Sequence, residues 1–124
     1  MNKIRKALIS VSNKKDLKPL VNALSKYKVD IISSGGTYKK IRRLGFKCVE
    51  ISKFTNTPEI LNGRVKTLHP KIYGGILNKR QDKIHCREIR KNNYENIDLI
   101  VANFYPFEDT LLKKSDHNKI IENI

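Results

Sequence analysis

Apolar residues along this chain fall into short blocks separated by polar turns. The first block, Ala7-Leu8-Ile9-Ser10-Val11, lies between charged residues and Ser12-Asn13, and reads as a buried parallel strand. Leu17, Leu20, Val21 and Leu24 then recur at helical spacing, and Tyr27 extends the same face. Asn13 offers an N-cap for this helix and Asp16 a first-turn acid, while Pro19 falls in the first turns, where proline costs least. Val29 to Ile32 predicts a second strand and Tyr38 to Leu44 a second helix, which Gly45 ends. Phe46 to Ile51 reads as a third, less regular strand, and Phe54 to Pro58 as a loop. Thr57 and Pro58 would then start a short helix through Leu61 that Gly63 stops. Lys71 to Leu77, interrupted by Gly74-Gly75, is expected to be short and irregular. Asp82 to Lys91 predicts an exposed helix with His85 on its surface, and Ile97 to Ala102 a buried strand. Glu108 to Leu112 suggests a short helix, and Ser115-Asp116 a cap for a last one from about His117 to Glu122. Strands alternating with helices give an α/β class with a mostly parallel sheet.

The polar residues between these blocks carry the candidate chemistry. Ser33-Ser34-Gly35-Gly36-Thr37 joins a strand to a helix, where backbone N–H groups can approach an anion and the Ser34 and Thr37 hydroxyls add donors. A plain tight turn capped by Thr37 fits the same residues. Ser10-Val11-Ser12 is a second strand-to-helix turn with hydroxyls. In a parallel sheet both turns lie at the carboxyl ends of the strands, where ligands bind. Gly63-Arg64-Val65-Lys66-Thr67-Leu68-His69-Pro70 places a guanidinium, an ammonium, a hydroxyl and an imidazole within six residues. It is either a solvated basic loop or an anion site with Lys66 or His69 free for chemistry. Asn103 and Tyr105 follow the last strand, again at its carboxyl end, and Tyr105 reads equally as a core aromatic.

The 124 residues suffice for one domain with a real core. A net charge of +14 raises the question of nucleic acid, but the basic residues are dispersed and aromatics make up only 7 %, so no base-stacking platform is visible. The expectation is no nucleic-acid partner, with anionic small substrates compatible with the charge. No apolar run approaches the roughly 20 residues that cross a bilayer, and the N-terminal block is too short for a signal peptide, so no membrane partner and a cytoplasmic location are expected. Cys48 and Cys86 lie far apart in no metal-binding spacing and are expected to be reduced thiols.

Ser10-Val11-Ser12 with Lys14, Ser34-Gly35-Gly36-Thr37, the stretch from Gly63 to Pro70, Gly75-Ile76-Leu77 and Asn103-Phe104-Tyr105-Pro106-Phe107 occur in this order along the chain. Together they resemble the N-terminal cyclohydrolase domain of the bifunctional purine biosynthesis enzymes AICAR transformylase/IMP cyclohydrolase, and the resemblance covers essentially the whole chain. It implies the methylglyoxal-synthase-like fold, a three-layer α/β/α sandwich on a mostly parallel sheet, and closure of the purine ring of formyl-AICAR ribotide to IMP with loss of water. It implies no metal and no organic cofactor, and a homodimer in the full-length enzyme. Carried over by resemblance, Ser12, Lys14, Ser34, Gly36, Thr37 and Arg64 hold the ribotide 5′-phosphate. Lys66, Thr67, Asn103 and Tyr105 face the base, with Lys66 and Tyr105 as the catalytic candidates. Ser10, Gly35, Leu68 and His69 complete the expected substrate-binding set. In the family an Asp-Ile-Gly-Gly segment bearing a catalytic Asp follows where this sequence stops, and a further catalytic Lys lies beyond it. The expectation is a domain incomplete at its C-terminus, without the transformylase domain and impaired in turnover on its own. The alternatives are a non-catalytic domain of the same fold that binds a phosphorylated effector, and a methylglyoxal synthase. The latter needs a carboxylate base that the first two turns lack.

Overall fold

A computed structural model describes residues 3–104, 106–112 and 117–118. Four strands form one sheet in the order β3-β2-β1-β4: β1 (Lys6–Ser10), β2 (Asp30–Ser33), β3 (Val49–Glu50) and β4 (Leu99–Ala102). Every pairing is parallel, with Ala7 opposite Ile31 on one side and Leu99 on the other. Side chains alternate across a strand, so β1 feeds two cores. Ala7 and Ile9 join Ile31 beneath α1 (Leu17–Lys26) and α2 (Gly35–Arg43), where Leu17, Val21, Leu24 and Ile41 are buried. Leu8 and Ile32 face the other way, against Ile51 and Phe54 of α3 (Ile51–Thr55) and Ile72 of α4 (Pro70–Leu77). Helices on both faces make the α/β sandwich. α5 (Lys83–Lys91) follows α4, and α6 (Phe107–Leu112) follows β4. Among the described residues no helix is long and apolar enough to cross a membrane.

Several local expectations are corrected. Asn13 does not cap α1; its Oδ1 accepts the Lys15 N–H at 2.9 Å in a separate turn, and the helix starts after a left-handed Asp16 with φ 60°. Tyr27 is 69 % exposed rather than packed, because α1 ends at Lys26 and the chain turns away through a left-handed Lys28. The third strand shrinks to Val49–Glu50, and Ile51 to Thr55, expected as strand end and loop, is helical. Ile51 and Phe54 lie three apart, and that spacing reaches the second core only from a helix. No helix forms from Pro58 to Leu61. Ile60 bridges antiparallel to Val65, and Leu61, Asn62 and Gly63 all take positive φ to close the hairpin.

Lys71 to Leu77 is regular, not irregular: His69 caps α4 by accepting the Lys71 N–H on Nδ1 at 3.0 Å, and Pro70 occupies the first position. Gly75 is there for clearance, since a Cβ on it would stand 2.6 Å from the Glu95 carbonyl oxygen. β4 is an edge strand among the described ones and only half-buried, with Ile100 49 % exposed. Asp82 caps α5, accepting from Ile84 and His85 N–H. The expected cap at Ser115-Asp116 lies outside the described residues.

Candidate functional site

At the carboxyl edge of the sheet, the ends of β1, β2 and β4 open into a cavity of about 350 Å³. Ser10, Ser12, Lys14, Ser34, Gly36, Thr37, Lys66 and Asn103 line it, together with Val11 and Ala102. The Gly-Gly pair expected as a loop is in fact the first turn of α2, which begins at Gly35 behind Ser34. First-turn N–H groups have no partner within their own helix, so the amides of Gly35, Gly36 and Thr37 are the helix's free donors. Gly35 has φ +54°, a backbone state that a side chain resists. Ser34 is buried and its hydroxyl makes no capping bond.

Thr37 ties this turn to the neighbouring one. Its Oγ1 accepts the Val11 N–H at 3.2 Å and donates to the Val11 carbonyl at 3.0 Å. The buried Ser33 hydroxyl donates to the Ile9 carbonyl at 2.6 Å, one strand pair deeper. On the β4 side, Asn103 Oδ1 accepts from the N–H groups of Ser12 and Asn13, and Nδ2 donates to the Asn13 carbonyl. Lys14 Nζ donates back to the carbonyls of Val11 and Ser12 at 3.1 and 3.3 Å. The loop is therefore held on three sides.

Two ammonium groups converge on the start of α2. A Cβ on Gly36 would lie 3.6 Å from Lys14 Nζ, and one on Gly35 would lie 3.6 Å from Lys66 Nζ. The N-terminus of a helix carries a partial positive charge. Two cations and a helix start facing one space repel each other, and an anion between them removes that repulsion. No Asp, Glu or His is among the described residues that line the cavity. This arrangement suits an anion and offers two ammonium donors, but no general base is among the described lining residues. No group of three or more His, Cys, Asp and Glu that could hold a metal occurs among the described residues.

Other sequence candidates fall outside this wall. Arg64 is exposed on the Ile60–Val65 hairpin, two residues before Lys66. Thr67 is half-buried beyond it, Leu68 is 72 % exposed, and His69 serves as the α4 cap. Gly35 borders the cavity beside Lys66. Tyr105 lies outside the described residues. Val11, within the Ser10-Val11-Ser12 turn, and Ala102, the last residue of β4, also line the cavity, and the signal for Ala102 is its place at the end of an apolar run. Away from the site, burial pushes the Cys48 thiol up to about 11, partly opposed by Arg42.

The family model for the MGS-like domain matches residues 16–124. The chain is 47 % identical over 122 residues to the bifunctional purine biosynthesis protein PurH of Acetivibrio thermocellus, covering 98 % of this chain and 24 % of that protein. It is 49 % identical over 119 residues to PurH of Prochlorococcus marinus (strain MIT 9312), covering 95 % and 23 %. The chain thus spans about a quarter of the length of the curated relatives it matches. The crystal structure of ForH superimposes with a TM-score of 0.75 at 32 % identity, over 83 % of this chain and 54 % of that one.

Proposed function

Because the chain belongs to the MGS-like domain family, we propose that it binds a purine ribotide by its 5′-phosphate and serves purine biosynthesis as an IMP cyclohydrolase domain. One observation carries the proposal: Lys14 and Lys66 meet at the N-terminus of α2, on the edge where three parallel strands end. The phosphate sits on the free amides of Gly35, Gly36 and Thr37, with Lys14 on one side and the hydroxyls of Ser12 and Ser34 within the same wall. The base then extends toward Lys66 and β4. The sequence identity to bifunctional purine biosynthesis proteins supports a purine ribotide over other phosphate esters.

In ring closure the carboxamide nitrogen of formyl-AICAR ribotide attacks the formyl carbon and forms a C–N bond. The formyl oxygen takes up negative charge, is protonated to a hydroxyl, and leaves as water with a proton from nitrogen. Holding the two groups in contact removes much of the barrier. The Lys66 ammonium is the donor for the developing oxyanion.

Calorimetric titration with IMP and inosine tests the reading. IMP is expected to bind and inosine not to, and Lys14→Gln and Lys66→Gln are each expected to weaken IMP by about tenfold, the scale of one lost charged hydrogen bond. A protein that binds neither ligand, or both alike, refutes it. The lack of a carboxylate among the described lining residues favours one alternative, a non-catalytic domain that holds a phosphorylated effector. Turnover of formyl-AICAR ribotide by the chain would exclude that alternative.

A further inference from the structure

Asn103 stands at the end of β4, where a polar side chain beside a base pocket would ordinarily be read as a ligand contact. Its amide is already engaged. Oδ1 accepts the Ser12 N–H at 2.6 Å and the Asn13 N–H at 3.3 Å, and Nδ2 donates to the Asn13 carbonyl at 2.9 Å. An amide oxygen has two lone pairs, so Oδ1 is saturated and one Nδ2 hydrogen remains. The amide orientation is fixed as well. Turned over, it would set an NH2 group against two N–H donors and an oxygen against a carbonyl.

We infer that Asn103 is a positioning residue, which holds the β1–α1 loop and through it Lys14 in place for the ligand's phosphate, rather than a contact to the base. The inference rests on the ribotide reading above. The linkage runs through named bonds. Asn103 fixes the backbone of Ser12 and Asn13. Lys14 Nζ is in turn tied to the carbonyls of Val11 and Ser12, which brings it beside Gly36 at the start of α2. Asn103 lies about ninety residues from this loop in sequence, so it joins the β4 edge of the site to its phosphate end. Without it the loop keeps its Thr37 bonds at Val11 but loses all three of these side-chain bonds at Ser12 and Asn13.

The test separates phosphate from base. Wild type and Asn103→Ala are titrated with IMP and with ribose 5-phosphate, which has no base. A positioning role lowers affinity for both ligands by the same factor, about tenfold for a loosened charged contact. A base contact lowers IMP alone and leaves ribose 5-phosphate unchanged, and that result overturns the inference, as does no change in either. Hydrogen exchange on the wild type covers a variant that fails to fold. The Ser12 amide, outside any helix or strand, is expected to exchange at least about tenfold more slowly than an open loop amide. Exchange at the open-loop rate overturns the inference. Wild type that binds neither ligand refutes the ribotide reading and the positioning role with it. Wild type that binds both while Asn103→Ala binds ribose 5-phosphate as well as before refutes the positioning role alone.

Discussion

Replacing Gly75 and Gly74 by alanine should move stability in opposite directions, although the two are adjacent in one helix. A Cβ on Gly75 would lie 2.6 Å from the Glu95 carbonyl oxygen and 3.1 and 3.3 Å from two atoms of Ile97. Carbon–oxygen contacts normally begin near about 3.3 Å, so backbone must separate from backbone. That separation is pinned, because the Gly75 carbonyl accepts the Ile97 N–H at 2.9 Å. Overpacking of this kind costs about 1–3 kcal/mol, and alanine returns about 1 kcal/mol of helix propensity. At Gly75 the backbone clash outweighs the propensity, with a net loss of up to about 2 kcal/mol. At Gly74 the nearest atoms are Ile89 Cδ1 at 3.4 Å and Tyr94 Cδ2 at 3.5 Å, both ordinary contacts with side chains. There propensity wins, with a gain of about 0.5–1 kcal/mol. Urea unfolding of wild type and the two single variants, followed by far-ultraviolet circular dichroism, measures both. A Gly75→Ala variant as stable as wild type, or a Gly74→Ala variant that loses more than Gly75→Ala, would refute the argument that α4 is held at contact distance from the segment entering β4.

Two titrations probe groups away from the cavity. Hydrogen bonds from the His85 and Ile84 N–H groups hold the Asp82 carboxyl below its ordinary value. Its contribution to stability is therefore present above the ordinary carboxylate range and lost as pH falls through the depressed native value. Asp82→Asn should flatten that acid limb of an unfolding-versus-pH curve, and an unchanged limb would show that the cap is not responsible. The Cys48 thiol is pushed up from 9.0 to about 11, so native stability should fall as pH rises from 9 toward 11, where only the unfolded thiol has ionised. Iodoacetamide at pH 8 should label native Cys48 about a hundredfold more slowly than the unfolded chain, as a two-unit shift in thiolate fraction requires. Equal rates would contradict the half-buried placement of the thiol.

The parts of the fold that were legible in the sequence are those whose burial repeats locally. Ala7-Leu8-Ile9 and Ile31-Ile32 are short apolar runs between polar residues, and Leu17, Val21 and Leu24 mark one helix face, so β1, β2 and α1 can be read without knowing their neighbours. The middle of the chain differs. Ile51 and Phe54 are two apolar residues with no longer pattern, and only Leu8 and Ile32 on the opposite side explain why they are helical. Gly74-Gly75 resembles a break until the close approach of Glu95 is known. The hairpin at Ile60 and Val65 puts Leu61 and Asn62 at positive φ, which no propensity favours for leucine. Of the candidate site, Ser12, Lys14, Ser34, Gly36, Thr37, Lys66 and Asn103 share one cavity. They could be grouped because strand-end turns of a parallel sheet lie on one edge. The commitment of Asn103 to the β1–α1 loop and of His69 to the α4 cap was not legible, since both depend on where a backbone amide points.

The reciprocal pairing of Thr37 with Val11 has a consequence for the rate and heat of binding. A side-chain hydroxyl that both accepts from and donates to one residue's backbone acts as an extra rung of sheet pairing between β1 and a helix. The two turns facing the cavity are thereby tied to each other before any ligand arrives. An anion that lands there freezes little additional backbone, so less of its interaction energy is offset by ordering of the loops. Association should proceed in a single fast step without a loop-closing phase, and the same rung makes the geometry intolerant: valine at position 37 keeps the shape but can make neither bond.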